Sequence, residues 1–262
     1  MKASILRNSF AAILATLLTA AVFTGCGQKE SDLDKGLAAY NQKDFKTAVG
    51  HFASAAEQDD AEAQYRLAMC YAEGKGVEQN NAKSFEWTLK SAKLGNAKAQ
   101  CVVGMCYIGG NEVQKDEAEG KKWIEKSIPG LRVAAEQGDA DAQAYLGACY
   151  GDGVGVGQDA DLSRKWIRAA AEQGHSTSLL SLGMMSLQDQ NVIEAVEWFR
   201  KAAEAESVEA QFLLGRIYEN GILDIRADKA EAEKWYRIAA AGSDPDVAKE
   251  AKNALNRLEE KK

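Results

Sequence analysis

Five tryptophans, Trp87, Trp123, Trp166, Trp198 and Trp235, follow one another at spacings of 36, 43, 32 and 37 residues, and the sequence around them repeats. Before successive tryptophans run AEAQYRLAMCYAEGKGV (61–77), AKAQCVVGMCYIGGNEV (97–113), ADAQAYLGACYGDGVGV (140–156), STSLLSLGMMS (176–186) and VEAQFLLGRIYENG (208–221). Around them run SFEWTLKSAKLGN (84–96), GKKWIEKSIPGLRVAAEQGD (120–139), SRKWIRAAAEQGH (163–175), AVEWFRKAAEAES (195–207) and AEKWYRIAAAGS (232–243). A unit of this size cannot bury an apolar face alone, so its copies have to stack and share one continuous core.

Each unit reads as two helices. Ala63, Leu67 and Tyr71 fall on one helical stripe, and Ala142, Leu146, Tyr150 and Ala210, Leu214, Tyr218 repeat it. The residue after the leucine position is small: Ala68, Gly104, Gly147, Gly183 or Gly215. Glycine inside a helix costs about 0.5–1 kcal/mol relative to alanine, so close approach of a neighbouring helix is the expected compensation. The second helix is expected to bury its tryptophan beside an alanine-rich face and to stop at Gly95, Gly138, Gly174 or Gly242.

Over residues 61–243 this pattern resembles the Sel-one-like repeat family, the branch of the tetratricopeptide superfamily with a longer loop between its helices. Residues 36–60 look more like a plain tetratricopeptide hairpin. Residues 244–262 read as a terminal helix capped by Asp244 and Pro245, with Val247, Ala251, Ala254 and Leu258 covering the last unit. The resemblance implies an all-α, right-handed solenoid of helical hairpins with a C-terminal capping helix, a long concave surface and no enclosed active site. Gly74, Gly76, Val77 and Gly153, Gly155, Val156 carry the full loop motif. Gly110 followed by Glu112, and Gly221 followed by Leu223, imply loops of a different shape. Seven extra residues around 127–133 lengthen one second helix, and Pro129 within them predicts a kink or break. That insertion reads as a change of superhelical curvature in preference to a protruding contact surface.

The amino terminus reads as a delivery segment. Lys2 and Arg7 precede SFAAILATLLTAAVF (9–23), an uncharged run too short for a membrane span. Phe23-Thr24-Gly25-Cys26 resembles a bacterial lipobox, with phenylalanine where leucine is usual. The resemblance implies cleavage after 25, lipidation of Cys26 through a thioether diacylglycerol and an acylated (palmitate-type) amino terminus. Gly27 in place of aspartate implies sorting to the outer membrane, facing the periplasm. The chain then divides into a lipoprotein signal peptide (1–25), a lipidated tether (26–33) and a repeat body (34–262).

Composition bounds the partners. With 46% hydrophobic residues and two prolines the chain is neither disordered nor a proline-rich stalk. Lys plus Arg number 32 and Asp plus Glu 39, a net charge of −7, which argues against nucleic acid as a partner. Besides Cys26 there are four cysteines. Cys70, Cys106 and Cys149 share one repeat position, which stacking places about 8–10 Å apart, beyond disulfide reach. Cys101 and Cys106 diverge on one helix, so all four read as buried small hydrophobes. His51 and His175 have no nucleophile or orienting carboxylate at a recognisable spacing, and GDGVGVG (151–157) lacks the strand and the Lys-Ser/Thr of a phosphate loop. The expectation is no catalytic residue, no metal and no cofactor.

Surface remains. By the resemblance, the first-helix positions opposite the Ala-Leu-Tyr stripe face the concave side. One row holds Tyr65, Cys101, Ala144, Leu180 and Phe212, another Met69, Met105, Ala148, Met184 and Arg216. Tyr65, Met69, Met105, Leu180, Met184, Phe212 and Arg216 are the best groove candidates, although packing between repeats is the simpler explanation of an apolar row. The expected role is a lipid-anchored, protein- or peptide-binding scaffold or envelope regulator. The family offers a periplasmic immunity protein against a secreted toxin such as a phospholipase as the alternative, and a cell-wall-acting enzyme is a weaker third reading for which the sequence supplies no site.

Overall fold

The computed structural model describes residues 30–222 and 225–260, so Cys26, the segment at 1–25 and the first residues of the tether lie outside them. Thirteen helices are found among the described residues, with one isolated antiparallel bridge between Ile222 and Ile225. They pair as α1 (Asp32–Asn41) with α2 (Phe45–Ala56), α3 (Ala61–Glu73) with α4 (Asn81–Lys93), and α5 (Ala97–Gly109) with α6 (Glu117–Glu136). Next come α7 (Ala140–Asp152) with α8 (Ala160–Glu172), α9 (Ser176–Gln188) with α10 (Val192–Glu204), and α11 (Val208–Asn220) with α12 (Lys229–Ala240). The last helix, α13 (Pro245–Glu260), covers both α11 and α12 with Ala248, Ala251, Ala254 and Leu258. This is a helical-repeat solenoid of six hairpins and a cap. No described helix is long and apolar enough to cross a membrane.

Polar side chains start the helices. Asp60, Asn96, Asp139 and Ser207 each accept the backbone N–H three residues on, which satisfies one of the free donors of the first turn. A second device joins consecutive hairpins. The Nε2 groups of Gln64, Gln100, Gln143 and Gln211 donate to the carbonyls of Ala56, Ala92, Ala135 and Ala203, each eight residues earlier at the end of the preceding helix. All four glutamines are buried. The fifth unit has Leu179 in this position.

The small residues on the first helices do bring the helices together. A Cβ on Gly104 would lie 2.7 Å from the Gly120 carbonyl oxygen, and one on Gly147 2.6 Å from Ile167 Cγ1. Gly183 faces Phe199 and Gly215 faces Tyr236 at similar range. The buried partner is therefore the residue after each tryptophan. Ile124, Ile167, Phe199 and Tyr236 are buried, whereas Trp87, Trp123, Trp166 and Trp235 are only half-buried and Trp198 alone lies in the core. One residue turns a helix by about 100°, so the glycines of the first helices meet the side chain after the tryptophan and the tryptophan itself points elsewhere. The other four tryptophans lie at the edge instead, with lysines over their rings, as Lys90 is 4.0 Å from the Trp87 centroid.

Three other local expectations change. Glu112 takes a left-handed φ of 60°, close to the 74° of both Gly76 and Gly155, so the third unit keeps the common loop shape despite lacking the second glycine. The same backbone hydrogen bonds close all three loops, from Asn80 to Tyr71, Asp116 to Tyr107 and Asp159 to Tyr150. The loop of the sixth unit does differ, with Gly221 at ψ 152°. Gly242 is absent from the left-handed glycines, while Gly95, Gly138 and Gly174 stop their helices as expected. Finally, α6 runs unbroken through Pro129. Pro129 and Glu125, whose carbonyl loses its helical donor, both stand on the exposed side, where solvent can replace the missing N–H.

The added length of α6 sets the stacking of everything after it. It has 20 residues where α4, α8 and α10 have 13, so it is about 10 Å longer. Gly130 already faces Ala97 at the start of α5, with the last turn and a half of α6 still to come. The chain therefore turns back into α7 from a point below the start of α5, and α5 and α7 pack out of register.

Candidate functional site

The first helices α1, α3, α5, α7 and the start of α9 converge on one cavity of about 380 Å³ on the inner face of the solenoid. Met69 from α3, Met105 from α5 and Ala144 and Ala148 from α7 form its apolar part. Glu73, Arg66 and Asp141 bring charge to it, and His175 a polar ring. Tyr65 and Tyr145 bridge α3 and α7 through their hydroxyls at 3.0 Å, although these helices belong to units two and four. Arg66 Nη1 reaches Asp141 at 3.3 Å and Glu62 with Nε at 2.8 Å. The inner face is thus closed over its middle, and a partly enclosed hollow replaces the open groove expected there.

Charged groups tie three units together beneath this hollow. Lys98, 6% exposed, holds Glu62 at 3.0 Å and Asp139 at 2.8 Å. Burial raises the Glu62 carboxyl, but Lys98 and Arg66 more than offset it, so it titrates below the usual carboxylate range. Burial likewise raises Asp139, and hydrogen bonds from Lys98 and the Ala142 N–H bring it below its ordinary value. Both acids therefore stay ionised at neutral pH and keep the buried lysine compensated. Burial pushes both tyrosine hydroxyls up, so they remain protonated donors and acceptors.

His175 does have a carboxylate neighbour, Asp141, 34 residues earlier and 3.7 Å from Nε2. Its Nδ1 accepts the Ser178 N–H and lies 3.0 Å from Ser178 Oγ. That serine is buried, and the grouping is a helix cap with histidine as the N-cap residue. Burial lowers the His175 pKa, with Asp141 and Asp139 partly opposing it, so the imidazole is neutral at pH 7. Among the described residues no three His, Cys, Asp or Glu side chains are grouped to hold a metal ion.

The sequence-derived candidates separate into four places. Tyr65, Met69 and Met105 meet at the central hollow, but Tyr65 is only 1% exposed and offers it little more than an edge. Met184 and Arg216 line a second hollow of about 240 Å³ between α9 and α11, floored by Leu213 and Ile217. Leu180 borders a shallow site near Glu206 and Ser243, and Phe212 packs on Tyr236 with ring centroids 5.6 Å apart. Met105 and Met184, 37% and 45% exposed, are the accessible apolar members of the set. Periodicity missed Arg66, Asp141, Tyr145 and His175. The polar residues at the starts of the first helices are a visible signal, but their partners lie one or two units away.

The cysteines also depart from expectation. Cys70, Cys101 and Cys149 are buried, as small hydrophobes would be, and all four described cysteines are free thiols. Yet Cys101 and Cys149 approach to 4.0 Å between sulfurs. In the repeat alignment Cys149 is the counterpart of Cys70 and Cys106, and spacing at equal register separates it from those two only. The displaced start of α7 sets it against Cys101, whose repeat position is that of Ala144, five residues before Cys149.

The Sel1 repeat family matches residues 35–60, 61–96, 97–128, 140–175, 179–207 and 208–244, so the first hairpin is of this type as well. A Sel1 repeat protein from Oxalobacter formigenes is 30% identical over 83% of this chain and 87% of its own, with a TM-score of 0.52. A protective antigen of uropathogenic Escherichia coli is 26% identical over 87% of this chain and 56% of its own, at 0.45. An immunity protein from Pseudomonas aeruginosa is 19% identical over 85% and 81%, at 0.43. With six matched units that together span most of its length, the chain belongs to the Sel1 repeat family.

Proposed function

We propose that this protein is a lipid-anchored scaffold or regulator of the bacterial envelope that captures a segment of a partner protein on its inner face. One observation carries the reading. The first helices of five successive units converge on a single hollow whose apolar part, Met69 and Met105, adjoins Arg66, Asp141 and Glu73. Methionines adapt their shape to a partner, and a mixed charged edge fixes its register. The anchor would be Cys26, with the body held near the outer membrane and the partner's effective concentration raised by confinement to that surface.

A photo-crosslinker at Thr177, an exposed residue on the rim of the hollow, tests the binding site in intact envelopes. The captured protein should be lost in the Met69→Asp, Met105→Asp pair and kept in Lys122→Glu on exposed α6. Equal capture by all three proteins would reject the inner face as the site. A secreted toxin as the captured partner would make the role immunity, and an envelope component would make it scaffolding. For the anchor, palmitate labelling should disappear in Cys26→Ser, and the protein should then fractionate away from membranes.

A further inference from the structure

We infer that Cys101 and Cys149 form a reversible disulfide that staples the third unit of the solenoid to the fourth. Their sulfurs are in contact at 4.0 Å, and a bond of about 2.05 Å asks each to move by about 1 Å. They lie on α5 and α7, two helices in contact, and both belong to one core cluster with Ile124, Leu131 and Leu146. Cys70 and Cys106 have no such neighbour, because the pairing depends on the register shift that the long α6 imposes on α7. It is a feature of this pair of units and not of the repeat.

The pair is also asymmetric. The hydrogen bond between the sulfurs draws the Cys149 thiol below the ordinary thiol range and, together with burial, pushes Cys101 above it. Cys149 stands in the last turn of α7 and is 5% exposed, against 0% for Cys101. It is therefore the first nucleophile. The oxidant is an external disulfide, RSSR, such as oxidised glutathione or the CxxC disulfide of an oxidoreductase. The Cys149 thiolate attacks one sulfur of RSSR, forms a mixed disulfide and releases RS⁻. Cys101 then attacks Cys149 Sγ, and the second RS⁻ leaves with the Cys101 proton. The two protein thiols lose two electrons and two protons, and RSSR becomes two RSH.

The bond would close a loop across α6 and fix the displaced register of α7. Tyr145 and Ala148 on the same helix line the central hollow, so the staple would hold its wall in place.

The test is incubation of the folded full chain with excess oxidised glutathione, alkylation under denaturing conditions, and peptide mapping. One species should link the Cys101 and Cys149 peptides, with Cys70 and Cys106 alkylated. Reducing the oxidised protein should lower its melting midpoint by about 5–10 °C. Cys101→Ala and Cys149→Ala should each abolish that redox-dependent shift, whatever their own stability, and Cys106→Ala should retain it. The inference is overturned by full alkylation of Cys101 and Cys149 after oxidation, by a link to another cysteine, or by a redox shift that survives in both variants.

Discussion

At the scale of single residues, the glutamine of the Ala-x-Ala-Gln pattern turns out to be a joint between units. Gln100 Nε2 donates to the Ala92 carbonyl at 3.1 Å with both residues buried. Replacing it with leucine, as the fifth unit already does at Leu179, removes that bond and should cost about 0.5–1.5 kcal/mol in urea denaturation. His175 offers a second measurement. Its folded pKa is depressed by burial, so the unfolded chain takes up the proton first as the pH falls. Stability is then full above about pH 6.5 and declines below it until the folded imidazole also protonates. His175→Asn keeps an N-cap side chain and should flatten the melting curve against pH between about 7 and 5. Sequence periodicity places both residues on the right helix ends. It could not name their partners, since the Ala92 carbonyl and the Asp141 carboxylate belong to neighbouring units.

At the scale of helices, contact between the two members of a hairpin was legible and its details were not. The small position after the leucine correctly marks where second helices approach, but the tryptophan is not what fills the space. Ile124 and its counterparts are, because the closest approach falls one residue further on. Gly104→Ala tests the tightness of that crossing. The new methyl would meet the Gly120 backbone oxygen at 2.7 Å, and backbone yields less readily than a side chain. A loss of about 1–3 kcal/mol is expected by thermal denaturation, even though the equivalent Ala68 is accommodated in the second unit. Helix breakers were over-read for a related reason. Pro129 interrupts one hydrogen bond, but α6 is anchored on both sides of it by the buried Ile124, Ile128, Leu131 and Ala135. Tertiary packing of those residues holds the helix through a site where local preference would end it.

At the scale of the whole molecule, the solenoid is more than a string of neighbours. Arg66 and Asp141, like Tyr65 and Tyr145, join units that are not adjacent in sequence. In a purely nearest-neighbour array, unfolding can split into segments. Here Asp141→Ala removes a contact to Arg66 and one to His175, and leaves the half-buried guanidinium with one carboxylate fewer. The expected cost is about 1–3 kcal/mol, with a lower urea m-value as the two halves lose coupling, and the difference from the parent should shrink at high salt. The sequence by itself determined the number of hairpins, the helix pairing within each and the covering role of the terminal helix, because those follow from apolar periodicity over a dozen residues. Only the tertiary structure decided that α7 sits out of register with α5, that the inner face closes over a hollow and that two cysteines meet. Those outcomes depend on helix length, rise and tilt accumulated along the stack, a sum that no single unit encodes.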